Sequence, residues 1–258
     1  ERIMHMADGC LLLVDAVEGP MPQTTFVLRK ALAHRLPAIV VVNKIDRHGA
    51  RPHHALDKVF DLFADLGAED DILDFPHIYC NALEGIAKVE LEHESEDLQP
   101  LFDEIVKSVP PPGGDIDGPF QMLISTLDYN DYIGRLGIGR IFRGRVSKGD
   151  AVSVVDREGN ARNAKVVTLY GFRGIERKEI ETAGAGDIVA ISGIEELNIT
   201  DTLTDPETQE IMPTLPVDEP TVQMIFTINT GPFAGQEGEY VTSRQIRARL
   251  ERELHTNV

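Results

Sequence analysis

Ala38-Ile39-Val40-Val41-Val42-Asn43-Lys44-Ile45-Asp46 is the segment on which the reading of this chain turns. A short, wholly apolar run rich in β-branched residues predicts a strand buried on both faces. The polar residues that follow stand where ligand-reading loops occur, just past the carboxyl end of a parallel strand. Upstream, Gly9 to Val14 is a second apolar run, ending at Asp15. A Glu-Gly-Pro-Met-Pro turn at 18–22 separates it from a helical pattern over Thr24 to Ala33. Downstream, residues 53–66 have helical periodicity, with Leu56, Val59, Phe60 and Phe63 expected on one face. His77 to Cys80 predicts a third strand and Leu98 to Val109 a closing helix. Apolar strands alternating with helices imply a parallel sheet covered on both faces.

Pro110-Pro-Pro-Gly-Gly114 cannot continue a helix and marks a boundary. Beyond it, Phe120 to Leu127, Leu136 to Phe142, Ala151 to Val155, Lys165 to Tyr170 and Ile188 to Ile191 read as strands between Gly, Asp and Asn turns. No helix is expected over 118–205, so the segment predicts an antiparallel barrel or sandwich. A second boundary is placed at Pro213 to Pro220. After it, Thr221 to Asn229 alternates as a strand, and Thr242 to Leu254 predicts a helix capped by Ser243. Ile246, Leu250 and Leu254 would form its apolar face. One strand and one helix do not make a domain, so this part reads as the start of one.

The 258 residues carry 43 Asp and Glu against 25 Lys and Arg, a net charge of -18. Such acidity argues against wrapping nucleic acid non-specifically. Two cysteines imply no disulfide framework and suit a reducing cytoplasm. No apolar run reaches membrane-spanning length, and no secretory leader is legible. One window departs from the overall acidity. Residues 132–178 hold eleven bases and four acids, among them Arg135, Arg140, Arg143, Arg145 and Lys148. These five are candidate contacts to an RNA backbone. A merely solvated barrel face is the plainer account.

Asn43, Lys44 and Asp46 suit recognition of guanine. That base presents two donors, N1–H and the 2-amino group, and a carboxylate at Asp46 could accept both in a charge-assisted pair. Adenine has an acceptor at N1 and no 2-amino group, so it would leave the carboxylate unmatched. Asn43 would hold the neighbouring loops, and the stem of Lys44 could lie over the ring. Asn81, Ala82 and Leu83 follow the third strand, where a backbone N–H could meet guanine O6. Ordinary loop and helix-cap roles are the alternative for all six. Asp15 reads either as part of such a site or as the cap of a turn.

The run Leu12 to Gln23 followed by Val41 to Asp46 resembles the translational GTPases of the elongation factor G class. Closer similarity, to the BipA/TypA family of ribosome-associated GTPases, lies in Gly19 to Thr24, Gly49 to Pro52, Asp74 to Pro76 and Leu83 to Ile86. It continues in Asp117 to Met122, Leu127 to Asn130, Gly186 to Ala190 and Val241 to Ile246. The resemblance spans essentially the whole chain.

It implies a multidomain chain. Residues 1–112 would be the second part of an α/β P-loop GTPase domain, 118–212 the translation-factor β-barrel, and 218–258 the start of an elongation factor G-like α/β sandwich. It further implies GTP or GDP with Mg²⁺ as ligands, and the ribosome, through its RNA and proteins, as partner. The intact protein would hydrolyse GTP in the cytoplasm, as a monomer, in ribosome assembly, translation and stress or cold adaptation. In that family Asn43, Lys44 and Asp46 match the guanine motif, and Asn81 to Leu83 match the last nucleotide loop, with Asn81 standing where Ser is usual.

The phosphate loop G-x-x-x-x-G-K-[ST] does not occur in these 258 residues. In the family that loop, the switch threonine and the catalytic-type histidine lie upstream of the position matching Glu1. No residue here is assigned as catalytic or as a metal ligand. The 258 residues alone are expected to bind nucleotide weakly and not to hydrolyse GTP. The alternative function is a non-catalytic ribosome- or RNA-binding module acting through the basic barrel face.

Overall fold

A computed structural model describes residues 2–130, 132–194, 196–213, 222–233, 235–236, 240 and 242–254. The chain divides into two compact units, residues 3–112 and 113–258. The expected boundary over 214–220, and Thr221, lie outside the described residues.

Residues Arg2–Met6 form a 3-10 turn ahead of the first unit's sheet. Its apolar runs become the strands β1 (Cys10–Asp15), β2 (Ala38–Asn43) and β3 (His77–Asn81). A three-residue strand, β4 (Ile86–Lys88), is too short to show periodicity and was not foreseen. The sheet order is β1-β2-β3-β4. The first three strands run parallel and β4 pairs antiparallel to β3. The connecting helices are α1 (Pro22–Ala33), α2 (Pro52–Asp65), the single turn α3 (Asp70–Leu73) and α4 (Gln99–Ser108). Proline opens α1 and α2, where a missing N–H costs the helix nothing.

One face of the sheet packs Leu12, Val14, Val40, Val42 and Tyr79 against Leu28 of α1 and Ala55, Val59 and Phe63 of α2. The ring of Phe63 stacks on Phe75 at 4.5 Å. The buried stripe of α2 is therefore Ala55, Val59 and Phe63, while Phe60, expected beside them, is 47% exposed. The other face packs Val41, Ile78, Cys80 and Ala87 against Leu98 and Leu101. That cover stops short of β1, where Leu11 and Leu13 alternate to the open side and are 40% and 59% exposed. The expectation of cover on both faces holds for β2 and β3 and fails for β1.

The second unit is antiparallel β-structure. Its strands are β5 (Gln121–Asn130), β6 (Gly134–Arg143), β7 (Arg145–Ser147), β8 (Ala151–Val155) and β9 (Ala161–Lys165). They continue as β10 (Thr168–Arg173), β11 (Glu176–Glu179), β12 (Thr182–Gly184), β13 (Ile188–Ser192) and β14 (Thr202–Thr204). An eight-stranded sheet has the order β11-β10-β13-β6-β5-β14-β8-β9, and β12 pairs with β7. Both sheets feed one core, with Val146 and Ala183 of the small sheet beside Met122, Ile124, Ile141, Val154, Val189 and Leu203 of the large one. Among the described residues no helix interrupts 118–205, as the sequence implied. Five strands escaped the sequence reading because they are short or, like β11 (Glu-Arg-Lys-Glu), wholly polar and exposed.

Two expectations near the carboxyl end are corrected. Described residues 222–229 form no strand, and Ile225 is 81% exposed. A strand is stabilised by its ladder, and no described strand lies alongside to supply one. The helix α5 (Ser243–Glu253) forms, but its N-cap is Thr242 rather than Ser243. Thr242 Oγ1 accepts from Gln245 N at 3.4 Å, and Gln245 Oε1 accepts from Thr242 N at 3.0 Å. This reciprocal pair needs the glutamine three residues on, and Thr242 alone has it.

Candidate functional site

The parallel register sets Asp15, Asn43 and Cys80 side by side at the carboxyl ends of three adjacent strands. Loops leaving those ends converge because the strands beneath them are fixed by burial. Asn43 is the hub. Its Oδ1 accepts from Lys44 N at 2.8 Å and from Ala82 N at 3.0 Å, so one amide joins the loop after β2 to the loop after β3. Ile45 N donates to Cys80 O at 3.3 Å, a second tie between the same loops.

Lys44 has a φ of 62°, a left-handed conformation uncommon for a residue with a Cβ. Its ammonium group donates to Asp15 Oδ2 at 2.8 Å. Arg47 Nη1 lies 3.5 Å from the same oxygen. The other oxygen of Asp15 accepts from Val17 N at 2.8 Å and Glu18 N at 3.3 Å. The hydrogen bond from Lys44, aided by that from Val17, holds the Asp15 carboxyl below the usual carboxylate range. Asp15 therefore caps a turn and also grips the neighbouring loop. The sequence raised only the first role as its plain alternative, since the second depends on the register of β1 against β2.

Asp46 lies between Lys44 and Arg47, is exposed, and has no hydrogen-bonding or ionic partner among the described residues. Asn81 is buried, and its Oδ1 accepts from Glu84 N at 3.4 Å. Ala82 is exposed and the Leu83 side chain is 93% exposed. An exposed carboxylate, a lysine and two hydrogen-bonded loops thus lie together at the carboxyl ends of the parallel strands. Among the described residues, no group of three His, Cys, Asp or Glu could hold a metal ion.

The basic window of the second unit is not the free face that its composition suggested. Arg140 is buried at 6% exposure, with its guanidinium 5.8 Å from the Phe142 ring centre, so it cannot present to a phosphate backbone. Arg135 Nη1 donates to Leu197 O at 2.9 Å. Arg143 donates to Pro119 O at 2.9 Å and pairs with Glu210. Lys148 pairs with Glu179. Only Arg145 of the five is exposed without a described ionic partner. Acids distant in sequence, Glu210 and Glu179, neutralise part of a charge excess that sequence counting registers as net positive.

A cavity of about 710 Å³ lies elsewhere in the first unit, lined by Leu36, Pro37, Ala38, Phe63 and Phe75. These residues surround the amino end of β2, so the cavity is separate from the loops at the carboxyl ends. His53 is exposed, and its Nδ1 lies 3.3 Å from the Tyr79 hydroxyl. No helix among the described residues is long and apolar enough to cross a membrane.

Residues 1–111 match the elongation factor Tu GTP binding domain, and residues 119–206 match elongation factor G domain 2. The chain is 56% identical over all 258 residues to the large ribosomal subunit assembly factor BipA of Haemophilus influenzae and to that of Escherichia coli K12. It is 54% identical to the factor of the same name from a Synechocystis strain. It covers 42% of the first two relatives and 43% of the third. Among solved structures, apo translation elongation factor SelB of Methanococcus maripaludis superposes with a TM-score of 0.61 at 22% identity. That match covers 79% of this chain and 41% of the SelB chain, and it bears on the fold alone.

Proposed function

The chain is homologous over its whole length to the BipA family of translational GTPases, and from that premise we propose that Asn43, Lys44, Asp46 and the Asn81–Leu83 loop bind the guanine base of GTP or GDP. The observation that carries this reading is the Asn43 amide, which ties the two loops together beside an Asp46 carboxylate that has no partner among the described residues. The protein that carries this chain would hydrolyse GTP, with Mg²⁺, while bound to the ribosome. It would act in assembly of the large ribosomal subunit, as its relatives' names state of them, and in stress or cold adaptation. It would work in the cytoplasm as a monomer.

Base recognition has a direct test in the full-length protein. Asp46→Asn removes a charged acceptor and offers a donor to the 2-oxo group of xanthine. Hydrogen bonds to charged groups are worth about 1.5–3 kcal/mol, so GDP affinity should fall roughly tenfold to a hundredfold while XDP affinity rises. Unaltered preference for GDP over XDP would mean that another loop reads the base.

The 258 residues themselves contain no phosphate-loop motif, and we expect them to show guanine selectivity without turnover. Sustained release of phosphate from GTP by this purified polypeptide would overturn that expectation. The alternative, an RNA-binding module acting through the second unit, loses Arg140 as a contact and finds Arg143 and Lys148 already paired with acids.

A further inference from the structure

We propose that Asp15 is a positioning residue that sets guanine selectivity by keeping Lys44 and Arg47 away from the Asp46 carboxylate. The proposal rests on the reading of Asn43 to Asp46 as the base site. Two cations flank Asp46 in sequence, at positions 44 and 47. In a short loop either could swing onto that carboxylate and compete with the donors of a base. Neither does, and Asp46 has no ionic partner among the described residues. Both cations turn instead to one oxygen of Asp15, at 2.8 Å and 3.5 Å.

Asp15 is suited to hold them. It ends β1, in register with Asn43, so its backbone is fixed by the sheet. Its second oxygen is pinned by two backbone N–H groups, which prevents the carboxylate from rotating away. The side chain is only 13% exposed, whereas those of Lys44 and Arg47 are 55% and 53% exposed. The anion is thus the rigid member and the cations are the mobile ones. A left-handed residue such as Lys44 persists only where its surroundings determine it. Here Asn43 holds its N–H and Asp15 holds its ammonium group. The device is a specificity element, because a carboxylate already satisfied by lysine would gain less from the 2-amino group that separates guanine from hypoxanthine.

The test compares GDP with IDP, which lacks that amino group, in the full-length protein. Asp15→Asn keeps an acceptor for the turn but removes the charge that restrains the cations. We expect the GDP-to-IDP affinity ratio to fall about fivefold, the scale of a partly exposed ion pair. Adding Arg47→Gln to Asp15→Asn should restore part of the ratio by removing one competitor. A purely structural role would lower the thermal midpoint and leave the ratio intact, which would overturn the proposal. Asp15→Thr, whose hydroxyl also serves the turn, replaces Asp15→Asn should the latter not fold. Failure of both to fold would assign Asp15 a structural role only and would also overturn it. A wild-type protein with no preference for GDP over IDP would instead defeat the base-site reading itself.

Discussion

Asn43 shows how far a single residue can be read from sequence. Its place after five apolar residues foretold a loop position, and its amide chemistry foretold a tie between loops. Asp15 shows the limit, because its partners are 29 and 32 positions away and meet it only through the register of β1 and β2. Cys80 belongs to the same row of strand ends but faces inward. It is 2% exposed, and burial pushes its thiol up to about 11. The thiolate is the reactive form, so at pH 8 the native Cys80 should react with a disulfide reagent on the order of a hundredfold more slowly than in the unfolded chain. Equal rates with and without denaturant would contradict the burial of this residue.

At the scale of elements, β6 is held to β5 by what its glycines lack. A Cβ at Gly139 would fall 1.9 Å from Leu123 O, and one at Gly137 would fall 2.2 Å from Leu197 Cδ2. The pairing of β5 with β6 makes these glycines points of close approach. Gly139→Ala must push the two strands apart or distort the ladder, which should cost about 3 kcal/mol, the upper end of ordinary overpacking. Gly113→Ala meets nothing within 4 Å at an exposed site and serves as the control. Chemical denaturation of the two variants checks this, and equal midpoints would show that β5 and β6 adapt freely. The same scale accounts for the missed strands. Strands of three or four residues, such as β4, β7, β12 and β14, give periodicity nothing to act on. β4 and β14 form because a longer neighbour supplies a ladder, whereas β7 and β12 supply one to each other.

At the scale of the whole molecule, titration should be governed by carboxylates. Asp15 is held low by Lys44, Glu104 by Ser108 and Asp156 by Asn160, whereas burial raises Asp201. For the three lowered groups the stabilisation is fully present above their unfolded values of about 4. It is lost as pH falls through the lower folded values. Asp201 acts in the opposite sense, since protonation relieves its burial. With three groups against one, the denaturation midpoint should drop as pH goes below about 4. A rise in stability from pH 5 to pH 3 would show that Asp201 dominates. By itself the sequence determined the alternation of apolar strands and helices, the change to β-structure after Pro112, and the polar loops that begin at the carboxyl ends of β2 and β3. Burial periodicity and turn chemistry are local properties, so they are legible in one dimension. Only the tertiary structure decided which face of β1 stays open, which arginines of the basic window are buried or neutralised, and that Asp15 gathers Lys44 and Arg47. Each of those depends on residues far apart in the chain being brought within a few ångströms by strand register, and no pattern along the sequence records that distance.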